Sequence, residues 1–280
     1  MIADTDLPRS REWWDSDPVA SPLVLAIDSS SRTGSLALLR GRAVVAEASW
    51  TAHGPGGSLH LDLAARLMGD HGLAASMLHS VVVATGPGSF TGTRAGISVG
   101  QGLAEALSIP LIGVPTLEAL ALQVSSNART GDVVCTVIGA GRGAVHAWTA
   151  VLGRTGLVSC GHAVTATLPE VAAALAAIAT TADVRVLVGG ELDAGQARVI
   201  VSAVPGSVVL SPTATQRRAA WLVELAWPAL DAIGADRLTG DRERTRRDTG
   251  FPEDVQPVYL TPQSGPRPVD LGWRIPPGDK

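Results

Sequence analysis

Aromatic side chains, cysteines and long apolar runs are all scarce in this sequence. Only 4% of its 280 residues are aromatic, so any large core must be built from valine, leucine, isoleucine and alanine. No apolar run reaches the roughly 20 residues that cross a bilayer. The stretch 1–20 lacks the cationic start and apolar centre of a signal peptide. These absences argue against a membrane protein, and we expect the chain to remain in the cytoplasm.

Cysteine spacing and net charge exclude two further classes of protein. Cys135 and Cys160 lie in apolar, strand-like stretches without CxxC spacing, which is typical of reduced, buried thiols rather than of a disulfide or a metal site. The formal net charge is -4 at pH 7, whereas tight binding of nucleic-acid phosphates needs clustered lysine and arginine. The arginine-rich stretch 237–247 is interleaved with acidic residues and is interpreted as a solvated surface segment. The chain is therefore not expected to bind nucleic acid alone.

A glycine-rich turn, ATGPGSFTGTRAGI at 84–97, is the most distinctive feature that is present. A β-branched run at 81–83 precedes it and apolar residues at helical spacing follow it to Leu107, so it joins a strand to a helix. Neither a Walker motif nor GxGxxG occurs in it, and by itself such a turn is also an ordinary corner of an α/β protein. The residues predicted to form this structural loop are Gly86, Pro87, Gly88, Ser89, Phe90, Thr91, Gly92 and Arg94.

A second turn, Asp28-Ser29-Ser30, follows the first predicted strand. It leads into an alternating run at 35–39 and then, through Gly41-Arg42, into a third run at 43–46, which is the pattern of a β-meander. In actin-like and sugar-kinase-like ATPases such a hairpin holds phosphate, with the aspartate toward the metal. An ordinary Asx turn is the alternative, and both interpretations stay open at this point.

Taken in order, these segments resemble the TsaB (YeaZ) family, the non-catalytic paralogues of TsaD in the synthesis of threonylcarbamoyladenosine (t6A) in tRNA. The resemblance is strong from Leu23 to about Leu122 and weak beyond. Its motifs are LAIDSSSRTGSLAL at 25–38, Ser58-Leu59-His60, the run at 81–107 that contains GPGSFTGTR, IPLIGVPTLEAL at 109–120 and, less specifically, VRVLVGG at 184–190 and PVYL at 257–260.

The resemblance implies an α/β fold of two ribonuclease-H/actin-like (ASKHA-type) subdomains, with mixed sheets flanked by helices. We predict a flexible N-terminal arm at 1–22 and a first subdomain at 23–124 that carries the partner-binding helices. A second subdomain at 131–235 and a charged, proline-rich tail at 236–280 follow.

The resemblance also implies a scaffold that binds and activates the catalytic subunit TsaD, works with the ATPase subunit TsaE and meets tRNA only within that complex. Helices at about 58–69 and 93–107 would pair with their TsaD equivalents, or with a second copy when TsaD is absent; which pairing predominates stays open. Small residues would let the helices approach closely. The predicted interface residues are His60, Leu63, Leu67, Gly96, Gly100, Leu103 and Ala104.

No metal site and no tightly bound cofactor are expected. TsaD carries metal-binding histidines in Val-Asn-His-Leu-Glu-Gly-His, and Thr116 and Leu120 stand in their places here; neither suits a transition metal. No pair among the six histidines has HxxxH spacing. Asp28, Ser29 and Ser30 would form a vestigial phosphate turn, and a nucleotide at the partner interface stays open. The isolated chain is therefore predicted not to be an enzyme.

An alternative function is an ATP-dependent kinase or carbamoyl-transferase of the actin-like superfamily, with a metallopeptidase ranked below it. A kinase would need Asp28 with Mg²⁺ and a second phosphate loop, which the sequence lacks. A peptidase would need a metal motif or a nucleophile–base pair, and neither is found. The D-A-R-R-G-E-x-Y-like turn of the relatives is degenerate at 139–146, so its role stays unassigned. His146 is interpreted as an exposed strand residue rather than a base.

Overall fold

The computed structural model describes residues 21–51, 57–239, 255–260 and 271–276. The chain divides into two compact units. The first unit comprises the described residues of Ser10–Ala119 and Arg217–Val258, and the second comprises those of Leu120–Gln216 and Tyr259–Lys280. Residues 1–20 of the predicted N-terminal arm and most of the predicted tail lie outside the described residues.

The first unit is built on a five-stranded sheet in the order β3-β2-β1-β4-β5. Its strands are β1 Leu23–Asp28, β2 Thr33–Arg40, β3 Ala43–Thr51, β4 Ser80–Ala84 and β5 Leu111–Val114. The first three strands are antiparallel neighbours, which confirms the predicted meander. β4 runs parallel to both β1 and β5. The carboxyl ends of the parallel strands β1 and β4 therefore meet at one edge, where both predicted turns begin.

Two helices cover one face of this sheet. They are α1 Gly57–Asp70 and α2 Phe90–Leu107, and a third helix, α3 Thr116–Ser125, follows β5. Successive side chains of a strand point to opposite faces. Leu25 and Ile27 of β1 accordingly pack with Ile97 of α2 and Ala64 of α1 in one buried cluster. β1 is apolar from Leu23 to Ile27, and its other face is buried as well.

The second unit contains a six-stranded sheet in the order β11-β10-β6-β7-β8, with β9 also paired to β7. Its elements are β6 Val133–Gly141, β7 Ala144–Leu152, β8 Leu157–Ser159, β9 Val164–Thr167, α4 Leu168–Ala182, β10 Val186–Gly190, α5 Ala194–Ala203 and β11 Val208–Val209. Both cysteines are buried in its core and free, as predicted. Burial raises the pKa of Cys160 to about 11, so its thiol is protonated at neutral pH.

The last helix, α6 Ala220–Thr239, covers the other face of the first sheet. Leu222, Val223 and Leu230 pack against Val24 and Val82. The predicted boundaries assign this stretch to the second subdomain, whereas its buried contacts place it in the first unit. No helix among the described residues is long and apolar enough to cross a bilayer.

Candidate functional site

The glycine-rich turn lies directly against the turn that follows β1. The Ser89 amide donates to the carbonyl oxygen of Ser30 at 2.6 Å. A Cβ on Gly88 would overlap that same oxygen, and a Cβ on Gly92 would overlap the carbonyl oxygen of Ser29. The glycines are thus required by close approach of two backbones. Only Gly86 in this turn needs the left-handed region, with φ +96°.

Helix α2 begins inside this loop and is capped by it. Ser89 is the N-cap residue, and its Oγ accepts from the Gly92 amide at 3.2 Å. The Ser29 hydroxyl donates to the Gly92 carbonyl at 2.7 Å, so the turn after β1 also holds the first turn of the helix. The predicted structural loop is therefore a seam between two turns of the first unit.

Thr116, which the resemblance places at the position of a TsaD histidine, belongs to the same seam. It is fully buried. Its Oγ1 accepts from the Gly86 amide at 3.1 Å, and its own amide donates to the Gly86 carbonyl at 2.8 Å. Leu120, at the other histidine position, is buried in the second unit. No group of three or more potential metal ligands occurs in the described part of the chain.

Asp28 is engaged by an arginine that the sequence interpretation did not identify. Its Oδ2 accepts from Nε of Arg217 at 3.1 Å and from Nη2 at 2.5 Å. Its Oδ1 accepts from the Ser30 hydroxyl at 2.6 Å and from the Ser30 amide at 3.1 Å. Both ionic side chains are 4% exposed. The carboxylate therefore has a buried counter-ion and bonds to both of its oxygens.

Backbone and side-chain bonds hold the segment that carries Arg217. The Ser49 hydroxyl donates to the Arg217 carbonyl at 3.0 Å, and the Ala219 amide donates to the Ser35 hydroxyl at 3.0 Å. The next residue, Arg218, pairs with Glu47 of β3 at 2.8 Å. Arg217 is 189 residues from Asp28 in the sequence, and no local motif marks it. Sequence reasoning missed it for that reason.

This arrangement does not fit a metal-bound phosphate at the turn after β1. A phosphate there would need free amide and hydroxyl donors, and the metal would need carboxylate oxygens. The Ser30 amide and hydroxyl donate to Asp28, the Ser89 amide donates to Ser30, and the carboxylate is paired with Arg217. Asp28 and Ser30 thus contact a guanidinium of the same chain, whereas the Ser29 hydroxyl donates to the Gly92 carbonyl.

The predicted close-approach stripe on α2 faces the first unit's own sheet. A Cβ on Gly100 would lie 2.5 Å from Val83 Cγ1 and 3.0 Å from Leu111 Cδ1, and one on Gly96 would overlap the Ser29 hydroxyl. Ala104 is buried in the same cluster. The prediction that these small residues face a partner is wrong, because they let α2 approach β1, β4 and β5.

The other predicted interface residues lie at the boundary of that core. His60 is buried and meets Trp50 edge-on, with ring centroids 5.4 Å apart. Leu63, Leu67 and Leu103 are half-buried against the same cluster.

The outward face of α1 and α2 has different residues. Leu61 is 45% exposed and Phe90 is 56% exposed. The guanidinium carbon of Arg94 lies 3.7 Å from the centroid of the Phe90 ring. Ser98 and Gly102 are exposed one helical turn apart, and a Cβ on Gly102 would meet no atom within 4 Å. We call these residues, Leu61, Phe90, Arg94, Ser98 and Gly102, the outward face.

The degenerate turn at 139–146 is a hairpin tip between β6 and β7. Gly141, Arg142 and Gly143 all have positive φ, at 78°, 53° and 78°. His146 is buried in β7, contrary to its interpretation as exposed, and its Nδ1 lies 2.8 Å from Thr165 Oγ1. Burial lowers the pKa of His146. Thr165 of β9 lies opposite His146 in the strand pairing, and its hydroxyl contacts the buried ring. His146 is therefore not placed as an exposed base.

We expect protonation of His146 to destabilise the fold. Its folded-state pKa lies below the unfolded value, so the unfolded chain takes up the proton first as pH falls below about 6.5. Above that pH the imidazole is neutral in both states and adds no pH dependence. Urea midpoints should therefore fall between pH 7.5 and 5, and His146→Gln should show a smaller fall. If the urea midpoints of the natural chain and of His146→Gln fall equally with pH, His146 is not the group responsible.

Comparison with known proteins adds the names of relatives. Residues 59–182 match the family described as TsaD: tRNA N6-adenosine threonylcarbamoyltransferase. The chain is 36% identical over 124 residues to the tRNA threonylcarbamoyladenosine biosynthesis protein TsaB of Bacillus subtilis (strain 168), covering 44% of this chain and 52% of that protein. It is 30% identical over 116 residues to the protein of the same name from Haemophilus influenzae, covering 41% and 48%. The chain thus spans about half the length of these curated relatives.

A solved structure extends the likeness to most of the chain. A Pseudomonas aeruginosa protein described as similar to peptidase YEAZ has a TM-score of 0.63 and 25% identity, covering 86% of this chain and 100% of that chain. YeaZ from the same organism has a TM-score of 0.63 at 24% identity. Together with the two mixed sheets and their flanking helices, this likeness confirms the predicted fold class.

Proposed function

We propose that this chain, which is similar to proteins of the TsaB (YeaZ) family, is a non-catalytic subunit of a t6A synthesis complex. In this proposal it binds the catalytic subunit TsaD in the cytoplasm and holds it in its active form. The observation that carries the proposal is the closed seam of the first unit. Asp28 is paired with Arg217 and the neighbouring donors are bonded within the chain, so the turn is suited to structure rather than to phosphoryl chemistry.

The residues at the histidine positions of TsaD support the same conclusion. A transition metal is held by imidazole, thiolate or carboxylate groups. Thr116 offers a hydroxyl that accepts from the Gly86 amide, and Leu120 offers no donor atom. We infer that the isolated chain makes no t6A and that TsaD supplies the catalytic metal site.

The outward face supports a partner-binding role. Phe90 and Leu61 expose apolar surface, and aromatic and arginine side chains are enriched in protein interfaces. Ser98 and Gly102 leave room for another helix to approach α2 closely. α1 and α2 pack on their sheet as a layer of two helices, and two helices from a partner would complete a four-helix layer. TsaD is the proposed partner, with a second copy of this chain as its substitute.

The net charge of the chain bears on how it would meet tRNA. With a net charge of -4, the chain is not expected to attract tRNA phosphates by itself. We infer that tRNA is bound through TsaD and that TsaE joins the assembled complex.

Calorimetric titration with TsaD tests this proposal. We expect saturable binding at one chain to one TsaD. The matched control is Val201→Arg, because Val201 is exposed on α5 of the second unit, whereas the outward face belongs to the first unit. The titration of this variant should equal that of the natural chain. An absence of heat and of co-elution with TsaD would reject the scaffold function.

A further inference from the structure

We propose that Arg217 is a tethered cation that replaces a ligand at the turn of residues 28–30 and closes the first unit's phosphate turn permanently. The fold places an aspartate at the end of β1, beside a glycine-rich loop and the start of a helix. In this chain the positive charge at that position comes from a side chain next to α6. The turn would then take its final shape with no nucleotide or metal bound.

Burial makes the charge of Arg217 necessary. A carboxylate withdrawn from water is costly unless a counter-ion and hydrogen bonds compensate it. Arg217 places Nε and Nη2 on the same oxygen of Asp28, and its Nη2 also donates to the Ser30 hydroxyl at 3.0 Å. The guanidinium thus contacts both Asp28 and Ser30, and the Ser30 hydroxyl in turn donates to Asp28. The Arg217 guanidinium therefore connects Asp28 and Ser30, the residues that a ligand bound at this turn would contact.

The seam with the glycine-rich turn depends on the same group. Ser30 bonds Arg217 through its hydroxyl, while its carbonyl oxygen accepts from Ser89 at the start of α2. Gly88 and Gly92 lie so close to the carbonyl oxygens of Ser30 and Ser29 that a Cβ on either glycine would overlap them. The Arg217–Asp28 pair therefore positions the first turn of α2 through the seam.

Arg217 is itself fixed rather than mobile. Its carbonyl accepts from Ser49, and the next two residues are bonded to Glu47 and Ser35. Its Nη1 is buried without a hydrogen-bond acceptor in the described part of the chain. An unsatisfied buried donor is a cost, so the contacts with Asp28 and Ser30 must account for keeping the side chain there. The arrangement is a permanent closure and not a gate.

Substitution with rescue by a free cation tests the proposal on the full chain. Arg217→Ala leaves the Asp28 carboxylate buried alone, and we expect its thermal midpoint to fall by roughly 10 °C. Methylguanidinium at millimolar concentration should recover part of that loss. It should leave the natural chain and the double variant Asp28→Asn/Arg217→Ala unchanged, because only the single variant combines a cavity with an unpaired acid.

Asp28→Asn/Arg217→Gln covers the case in which Arg217→Ala does not fold. It removes both charges and keeps polar groups at both positions, so we expect it to be more stable than either single substitution. ATP with Mg²⁺ should not shift the midpoint of the natural chain. The proposal is overturned if Arg217→Ala is as stable as the natural chain, or if it folds and methylguanidinium does not stabilise it. It is overturned equally if ATP with Mg²⁺ stabilises the natural chain and Asp28→Asn removes that effect.

Discussion

Replacing Gly88 by alanine is expected to destabilise the first unit more than any other single methyl addition in the seam. The new Cβ would overlap the Ser30 carbonyl oxygen, which is a backbone atom fixed by its bond from Ser89. Neither turn can move without breaking that bond. We expect a loss of about 3 kcal/mol, the upper end of overpacking costs, which lowers the thermal midpoint of a chain of this size by roughly 6–12 °C.

Gly102→Ala is the matched control for this prediction. Gly102 lies inside α2, and a Cβ there meets no atom within 4 Å. Alanine should stabilise the helix by up to about 1 kcal/mol relative to glycine. Calorimetric unfolding of both variants therefore gives shifts of opposite sign. Unfolding of Gly88→Ala at the temperature of the natural chain would contradict the close approach of Gly88 to the Ser30 carbonyl oxygen.

Gly102→Arg is expected to weaken association strongly while leaving the fold intact. Gly102 is exposed on the outward face, arginine is a good helix former, and its long charged side chain would keep a partner helix from approaching closely. We expect affinity for TsaD to fall about 100-fold or more, the effect of a central interface residue. Circular dichroism should show an unchanged fold.

Gly100→Leu provides the contrast from the opposite face of the same helix. Gly100 packs on Val83 and Leu111 of its own sheet, so a leucine there has no room. We expect this variant to unfold or to aggregate rather than to lose binding selectively.

Tight binding of TsaD by Gly102→Arg would show that the outward face is not the interface.

Local patterns in the sequence were enough to predict much of the first unit. Alternating apolar runs separated by short turns predicted β1 to β3, and the shift from a β-branched run to helical spacing predicted β4 and α2. These features depend on neighbours in the sequence, where propensity and periodicity apply.

The orientation of α2 could not be derived in the same way. Small residues recur every four positions on two faces of this helix, at 96, 100 and 104 and at 98, 102 and 106. Periodicity alone does not tell which stripe meets the sheet. The side chains of Val83 and Leu111 decide it, since they fill the space beside Gly100. Gly96, Gly100 and Ala104 were therefore assigned to a partner surface although they pack on the chain's own sheet.

Long-range contacts explain the other differences. The Asp28–Arg217 pair joins residues 189 positions apart, and no motif surrounds Arg217. α6 contains apolar residues on most of its surface and Pro228 in its interior, so its pattern does not identify which sheet it covers. Packing against Val24 and Val82 assigns it to the first unit.

We propose that this chain acts by activating TsaD and has no catalytic site of its own, and reconstituted t6A synthesis tests this claim. TsaD, TsaE, tRNA and threonylcarbamoyl-adenylate would be combined with no further subunit, with the natural chain, or with Gly102→Arg, and t6A measured by mass spectrometry of digested tRNA. We predict t6A with the natural chain, little with Gly102→Arg, and none from the natural chain when TsaD is omitted. Formation of t6A by the chain without TsaD, or equal synthesis with and without the chain, would contradict the claim.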